Sequence, residues 1–186
     1  MRGRRIRSVR AIRSKTILAA ALGCVILAGP SRSATTVTSA VSVALSSFCL
    51  LGVTSSAVTL TISNPATPGA VPSNAASSST YAQYSSIVAT GVTRRITAAW
   101  AVGNSAPTGC TLKLLATPAS GMGATAGQIT VSSTAQNIVT GIGGCATGTG
   151  STNGAQMAYT LAVTTMTSLV ASQSTTATIT LTMTDS

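Results

Sequence analysis

The stretch TTATITLTMT (residues 175–184) decides the fold class. Apolar residues alternate along it with threonines, so that Ala177, Ile179, Leu181 and Met183 lie on one side and Thr176, Thr178, Thr180 and Thr182 on the other. Successive side chains of a β-strand point to opposite faces, and a strand with one buried face shows this period of two. The stretch therefore predicts a half-buried antiparallel strand.

The same alternation recurs along the chain. It is visible in TTVTSAVSVAL (35–45), SAVTLTIS (56–63), RRITAAWAV (94–102), CTLKLLA (110–116) and AQMAYTLAV (155–163). The inward faces are predicted to carry Val37, Val41, Val43 and Leu45; Val58, Leu60 and Ile62; Ile96, Ala98, Trp100 and Val102; Cys110, Leu112 and Leu114; and Met157, Tyr159, Leu161 and Val163. Clusters of Pro, Gly, Asn and Ser separate these runs at 64–74, 103–109 and 117–127. We expect an all-β fold, a single antiparallel β-sandwich of about 7–9 strands over residues 34–186.

The first 33 residues have the pattern of a secretory signal peptide. Arginines and a lysine crowd positions 2–15, an apolar run fills 16–29, and Ser31 and Ser33 provide a small-x-small cleavage site. The apolar run is shorter than the roughly 20 residues that span a bilayer, so no permanent membrane anchor is expected. Arg4-Arg5 suggests twin-arginine export. However, Arg7 stands at the position where such signals carry a bulky apolar residue, so the general secretory route is favoured. The sequence thus predicts export to the periplasm, the cell surface or the medium.

The charge of the chain lies almost entirely in that leader. The whole sequence has a formal net charge of +10, but residues 34–186 keep only Arg94, Arg95, Lys113 and Asp185, a net charge of +2. Nucleic-acid binding requires clustered basic residues that neutralise phosphates. We therefore expect no nucleic-acid partner. So little charge also leaves little like-charge repulsion against self-association.

The glycine-rich stretch TGIGGCATGTGSTNG (140–154) begins like a dinucleotide-binding loop, since Gly141, Gly143 and Ala146 fit G-x-G-x-x-A. That fingerprint also needs a following helix and an acidic residue about 20 positions on. The alternating run 155–163 follows instead, and the only acidic residue of the chain is Asp185. The stretch is therefore predicted to be a wide connection between strands.

Three cysteines remain after removal of the leader: Cys49, Cys110 and Cys145. Exported proteins retain disulfides, so a single bridge is expected, and three pairings are possible. We predict Cys110–Cys145, because Cys145 lies in a glycine-rich loop that can adapt to the bridge. Cys49, within FCLLGV (48–53), is predicted to be a buried free thiol, with an intermolecular bridge as the alternative.

Residues that could perform chemistry are scarce. The chain has no histidine and no glutamate, the residues that most often transfer protons in catalysis. Asp185 is expected in a fraying segment and Lys113 on a solvated strand face. Ligand sets for zinc, iron, copper or calcium are also missing. We therefore predict a protein that is not an enzyme and has no metal or cofactor.

The aromatic and arginine residues leave one candidate binding site. Trp100 and Tyr159 share their faces with apolar residues and are expected in the core. Tyr81 and Tyr84, in TYAQYSS (80–86), are less constrained and form the candidate glycan-stacking site. Arg94 and Arg95 should point to opposite faces at a strand start, as edge charges that discourage pairing between sheets.

The signal peptide, the alternating run TTVTSAVSVAL, the cysteine-led CTLKL and the closing ATITLTMT resemble secreted bacterial β-sandwich surface proteins, namely chaperone–usher pilin subunits and the spore-coat-U-like group. The resemblance implies an exported structural or adhesive cell-surface protein of the fimbrial kind. Residues 35–45 would then add a strand to the sheet of another copy or another surface subunit. The alternative is a monomeric secreted carbohydrate-binding module that uses Tyr81 and Tyr84.

Overall fold

A computed structural model describes residues 35–171 and 174–186. The predicted signal peptide, residues 1–33, lies outside the described residues. Of the described residues, 35–42 belong to one unit and 43–186 to a second, and all the strands described below belong to the second. The strands are β1 (Phe48–Val53), β2 (Ala75–Ile87), β3 (Arg94–Trp100), β4 (Cys110–Thr117), β5 (Ala124–Thr125), β6 (Ile129–Thr130), β7 (Gln136–Ile142), β8 (Cys145–Ala146), β9 (Ala155–Val163) and β10 (Ile179–Asp185).

The strands form two antiparallel sheets. Sheet A has the order β1-β2-β9-β4-β6, with β8 also paired to β2 where β9 has ended. Sheet B has the order β10-β3-β7-β5. A single 3₁₀ turn, Met166–Ser168, is the helical element of the described residues. The prediction of an all-β antiparallel fold is confirmed.

The core contains the alternating apolar residues of the long strands. Ile96, Leu114, Ile138, Ile142 and Met157 are its largest fully buried side chains. Tyr159 and Leu161 are also buried, and Trp100 packs against this cluster from a half-buried position. The inward faces predicted for β3, β4 and β9 are therefore largely confirmed. Val102 is wrong, because β3 ends at Trp100 and the valine beyond it is 101% exposed.

Two predicted strands lack backbone partners. Residues 35–45 form no strand, and their alternating apolar side chains are exposed, with Val37 at 85% and Val43 at 87%. Residues 56–63 form no strand either, yet their predicted inward residues Val58, Leu60 and Ile62 pack against the core. Alternation therefore marked the apolar face correctly in the second stretch, but not the pairing of its backbone.

The longest strand, β2, has a sequence of small residues, AASSSTYAQYSSI. Alanine and serine are weak strand formers, and the stretch has few of the β-branched residues that mark a strand in sequence. It pairs with β1 on one side and with β9 and β8 on the other, so tertiary contacts determine its conformation.

The glycine-rich stretch is a connection between strands, as predicted. It holds the short strand β8 and leads directly into β9. Gly154 has a φ of +116°, and a Cβ there would lie 2.2 Å from the carbonyl oxygen of Ala82. A side chain at this position would push β9 away from β2, so glycine is required by the close approach of the two backbones.

Thr80 provides a test of the core. It is 1% exposed, and among the described residues its Oγ1 has no hydrogen-bond partner. A buried hydroxyl without a partner retains its desolvation cost. Thr80→Val should therefore raise the free energy of unfolding by about 1 kcal/mol in urea denaturation. Thr80→Ser, which keeps the hydroxyl and loses the methyl group, should lower it; a loss of stability in the valine variant would contradict this reading.

Candidate functional site

A buried arginine joins the two sheets at one corner of the fold. Arg94 opens β3 of sheet B and is 6% exposed. Its Nε donates to Oδ1 of Asp185 at 2.7 Å, and its Nη2 donates to Oγ of Ser47 at 2.8 Å. Its Nη1 donates to the Phe48 carbonyl and, at 3.3 Å, to Oγ of Ser86. Four acceptors therefore satisfy a cation that burial would otherwise destabilise.

This corner corrects two sequence predictions. Arg94 and Arg95 do point to opposite faces, but only Arg95 is exposed; Arg94 is a buried link between sheets and not an edge charge. Asp185, expected to fray, pairs with Arg94 in the register of β10 and β3. The sequence pattern indicates these positions. Arg94 lies on the same strand face as Ile96 and Ala98, and Asp185 lies on the same face as Met183.

Removing the guanidinium should therefore be costly. We expect Arg94→Met to lower the free energy of unfolding by about 3 kcal/mol, because it leaves the buried Oγ of Ser86 and the Phe48 carbonyl without their donor. Asp185→Asn should cost less than about 1 kcal/mol, since the Asp185 side chain is 67% exposed. The matched control, Arg95→Met, should change stability by no more than about 0.5 kcal/mol. Equal effects at Arg94 and Arg95 in chemical denaturation would refute this account.

Strand β10 forms an open edge of sheet B. Its only strand partner among the described residues is β3. The carbonyl of Thr178 accepts from the N–H of Ala101, and the N–H of Ser186 donates to Thr93, so the even-numbered positions face β3. Backbone groups of a strand alternate between its two sides. The N–H and C=O groups of Ile179, Leu181 and Met183 therefore point away from sheet B and can pair with an added strand.

Part of the core is incompletely covered. Six side chains of β10 and of residues 56–63 pack against the core but are only half-buried: Ile179, Leu181, Met183, Val58, Leu60 and Ile62. Within the described residues, no backbone–backbone hydrogen bond involves residues 56–63. Two apolar stretches thus reach the core while their backbones remain available for pairing.

The segment of residues 35–45, which we call the arm, has the complementary property. Its apolar side chains Val37, Val41, Val43 and Leu45 are 77–87% exposed. The arm leads into Ser47, whose Oγ accepts from Arg94 and donates to the Ile87 carbonyl at 3.0 Å. The buried arginine therefore fixes the point at which the arm leaves the sheets.

The predicted Cys110–Cys145 disulfide is not formed. Cys110 pairs with Val163 at one end of sheet A, whereas Cys145 pairs with Ser86 near the other end. Their positions differ by more than ten residues along β2, about 35 Å of strand, whereas bridged Cα atoms lie within about 7 Å. All three cysteines of the described residues are free thiols, and Cys49 is exposed where burial was predicted. Burial raises the pKa of Cys110 and Cys145.

The candidate glycan residues Tyr81 and Tyr84 do not form a common platform. They differ by an odd number of positions on β2, so they point to opposite faces of sheet A. Tyr84 is 2% exposed, and its hydroxyl donates to the Met122 carbonyl at 2.6 Å. Tyr81 is half-buried on the outer face, where the Gln156 amide donates to its hydroxyl at 3.3 Å. Only Tyr81 keeps any surface for stacking.

Tyr84 makes stability dependent on alkaline pH. Burial, and to a smaller extent the charge of Cys145, raises the pKa of Tyr84 from 10.0 to about 12. The unfolded chain therefore ionises first, and the contribution of Tyr84 is complete below pH 10 and is lost as the pH rises towards 12. Tyr84→Phe should cost about 1 kcal/mol at neutral pH through the lost hydrogen bond. It should also flatten the decline in melting temperature above pH 10; an unchanged decline would contradict the assignment.

Other site types are not found in the part of the chain that the structure describes. No group of three or more His, Cys, Asp or Glu side chains there could hold a metal ion. No helix of the described residues has the length and hydropathy to cross a membrane.

No protein-family model, no curated protein and no solved structure matches this chain. The fold by itself defines the class, an all-β protein of two antiparallel sheets. Its described residues combine the open edge of β10 with the exposed apolar arm.

Proposed function

We propose that the protein is an exported structural subunit of a cell surface that assembles by strand addition. The arm of one copy pairs with the open edge of β10 in another. The observation that carries the proposal is that one chain holds both an exposed apolar strand-like segment and a sheet edge with half-buried core residues beside it.

The chemistry of the two surfaces is complementary. In an added strand, the four apolar side chains of the arm would point to one face, and its backbone would pair with β10. These side chains could cover the half-buried residues of β10 and of 56–63. The residues at the even positions between them, Ala40, Ser42 and Ala44, would face away from the core.

Electrostatics support self-association. Residues 35–47 carry no charged side chain, and β10 carries only Asp185, which is paired with Arg94. Neither surface therefore repels the other, and their pairing should depend weakly on salt concentration.

The free energy gained by burying the arm is close to the free-energy cost of association. Burial of each arm side chain contributes about 1.5–3 kcal/mol, whereas association costs about 4–15 kcal/mol before ordering of the arm is counted. Burial and cost are thus of similar size, and backbone hydrogen bonds add about 0.5–1.5 kcal/mol each. A further contact between the same two copies would therefore increase the stability of the assembly.

Removal of the arm tests the proposal. The mature protein should form a ladder of oligomers in non-denaturing gels, and a variant that lacks residues 34–46 should be monomeric. A synthetic peptide of residues 34–46 should bind this shortened variant and raise its melting temperature, because it supplies the missing strand.

The matched control is the same peptide with Val41→Asp and Val43→Asp, which should not bind because it would place charges against the core. If both proteins are monomers of equal stability, or if the two peptides act alike, strand addition is wrong.

A further inference from the structure

An apolar patch lies on the outer face of sheet A, beside the root of the arm. The strand register aligns Phe48 with Ile87 and Leu50 with Ser85. It also aligns Ser85 with Ala146, so one row of side chains crosses three adjacent strands and the row of Phe48 and Ile87 lies beside it on two of them. Phe48 is 44% exposed and Leu50 is 66% exposed.

The patch surrounds a shallow hollow of about 470 Å³, which Gly144 and Cys145 also line. Its floor is almost wholly apolar. Gln83 lies two residues before Ser85 on the same face of β2. Its side-chain amide donates to the carbonyl of Gly150 at 2.7 Å, so a polar contact bounds the patch at this end of β2. Clustered, exposed apolar side chains on the outer face of a sheet indicate a surface that another molecule covers.

The arm determines which molecule is near enough to do so. Leu45, at the end of the arm, lies only three positions before Phe48 in the patch. Three extended residues span about 10 Å. Ser47, between them, is held by its hydrogen bonds with Arg94 and Ile87, so the arm leaves the sheets from a fixed point. A copy that receives the arm therefore comes within about 10 Å of the patch.

We infer that the patch of Phe48, Leu50, Ile87 and Ala146 is a second contact surface between consecutive copies, covered by the copy that receives the arm. This inference rests on the proposed function. The strand contact alone is close to the balance between burial and the cost of association. An adjacent apolar contact on the same partner adds area without a second association cost.

The test uses full-length mature protein with two changes to the patch. The first variant, Phe48→Ser with Leu50→Ser, removes its exposed apolar side chains. The second, Gly144→Lys, fills the hollow with a charged chain. The structure tolerates it, because a Cβ at Gly144 would meet no atom closer than the Ser86 carbonyl oxygen at 3.9 Å. Under conditions that keep the protein monomeric, Gly144→Lys should keep the melting temperature of the wild type, whereas the double serine variant should stay folded with a lower melting temperature, because Phe48 is only 44% exposed.

Two controls match these changes. Val71→Ser with Val102→Ser removes two apolar side chains that are 67% and 101% exposed and lie outside the patch. Thr111→Lys adds a charge to the outer face of β4, at a position outside the hollow. Neither control should alter the oligomer ladder.

We expect both patch variants to shift the concentration at which oligomers form at least tenfold upward. They should still bind a fluorescent peptide of residues 34–46, because their β10 edge is intact. Ladders like those of the wild type in both patch variants would overturn the second surface and leave strand addition standing. Equal losses in the controls would also overturn it, because the effect would then be general hydrophobicity. A wild type without ladders would overturn both proposals.

Discussion

The position of one buried positive charge determines much of this structure. A guanidinium that leaves water must find acceptors, and Arg94 finds them on β10, on β2 and at the start of β1. Because these elements belong to both sheets, the need to satisfy one side chain fixes the corner where the sheets meet. The same hydrogen bonds place Ser47, and therefore the origin of the arm, next to the end of the open strand. The hydrogen bonds that satisfy Arg94 therefore also fix the point from which the arm of the proposed assembly leaves the sheets.

Alternation in the sequence predicted the fold class because a period of two is a property of any strand with one buried face. It also predicted strands at 35–45 and 56–63, where the chain makes no ladder. Alternation reports that one face is apolar, and it does not tell whether the covering partner lies in the same chain. Conversely, β2 escaped prediction because its alanines and serines are small on both faces and only its neighbours make it a strand.

The candidate site was only partly predictable. The arm and its proposed strand-adding role followed from the residues and the resemblance, but the proposed acceptor edge required the strand order, which no local pattern encodes. The cysteine pairing failed for the same reason. Only the strand register shows that residues 110 and 145 lie at opposite ends of sheet A. Odd and even positions in the sequence, by contrast, do predict strand faces. They put Tyr81 and Tyr84 on opposite faces, and they put Arg94 on the face of the buried residues of its strand.

The spacing of the Arg94 contacts has a kinetic consequence. Asp185 lies 91 residues from Arg94 in the chain, and Ser47 lies 47 residues away. Contacts between residues so far apart form slowly, because a long loop must close before they contribute. We expect the pair β4–β9, whose partners lie 39–53 residues apart, to assemble before the contact between Arg94 and Asp185. Asp185 binds the guanidinium that also holds Ser47, so in the proposed assembly the arm would leave from a fixed point only after β10 has joined sheet B.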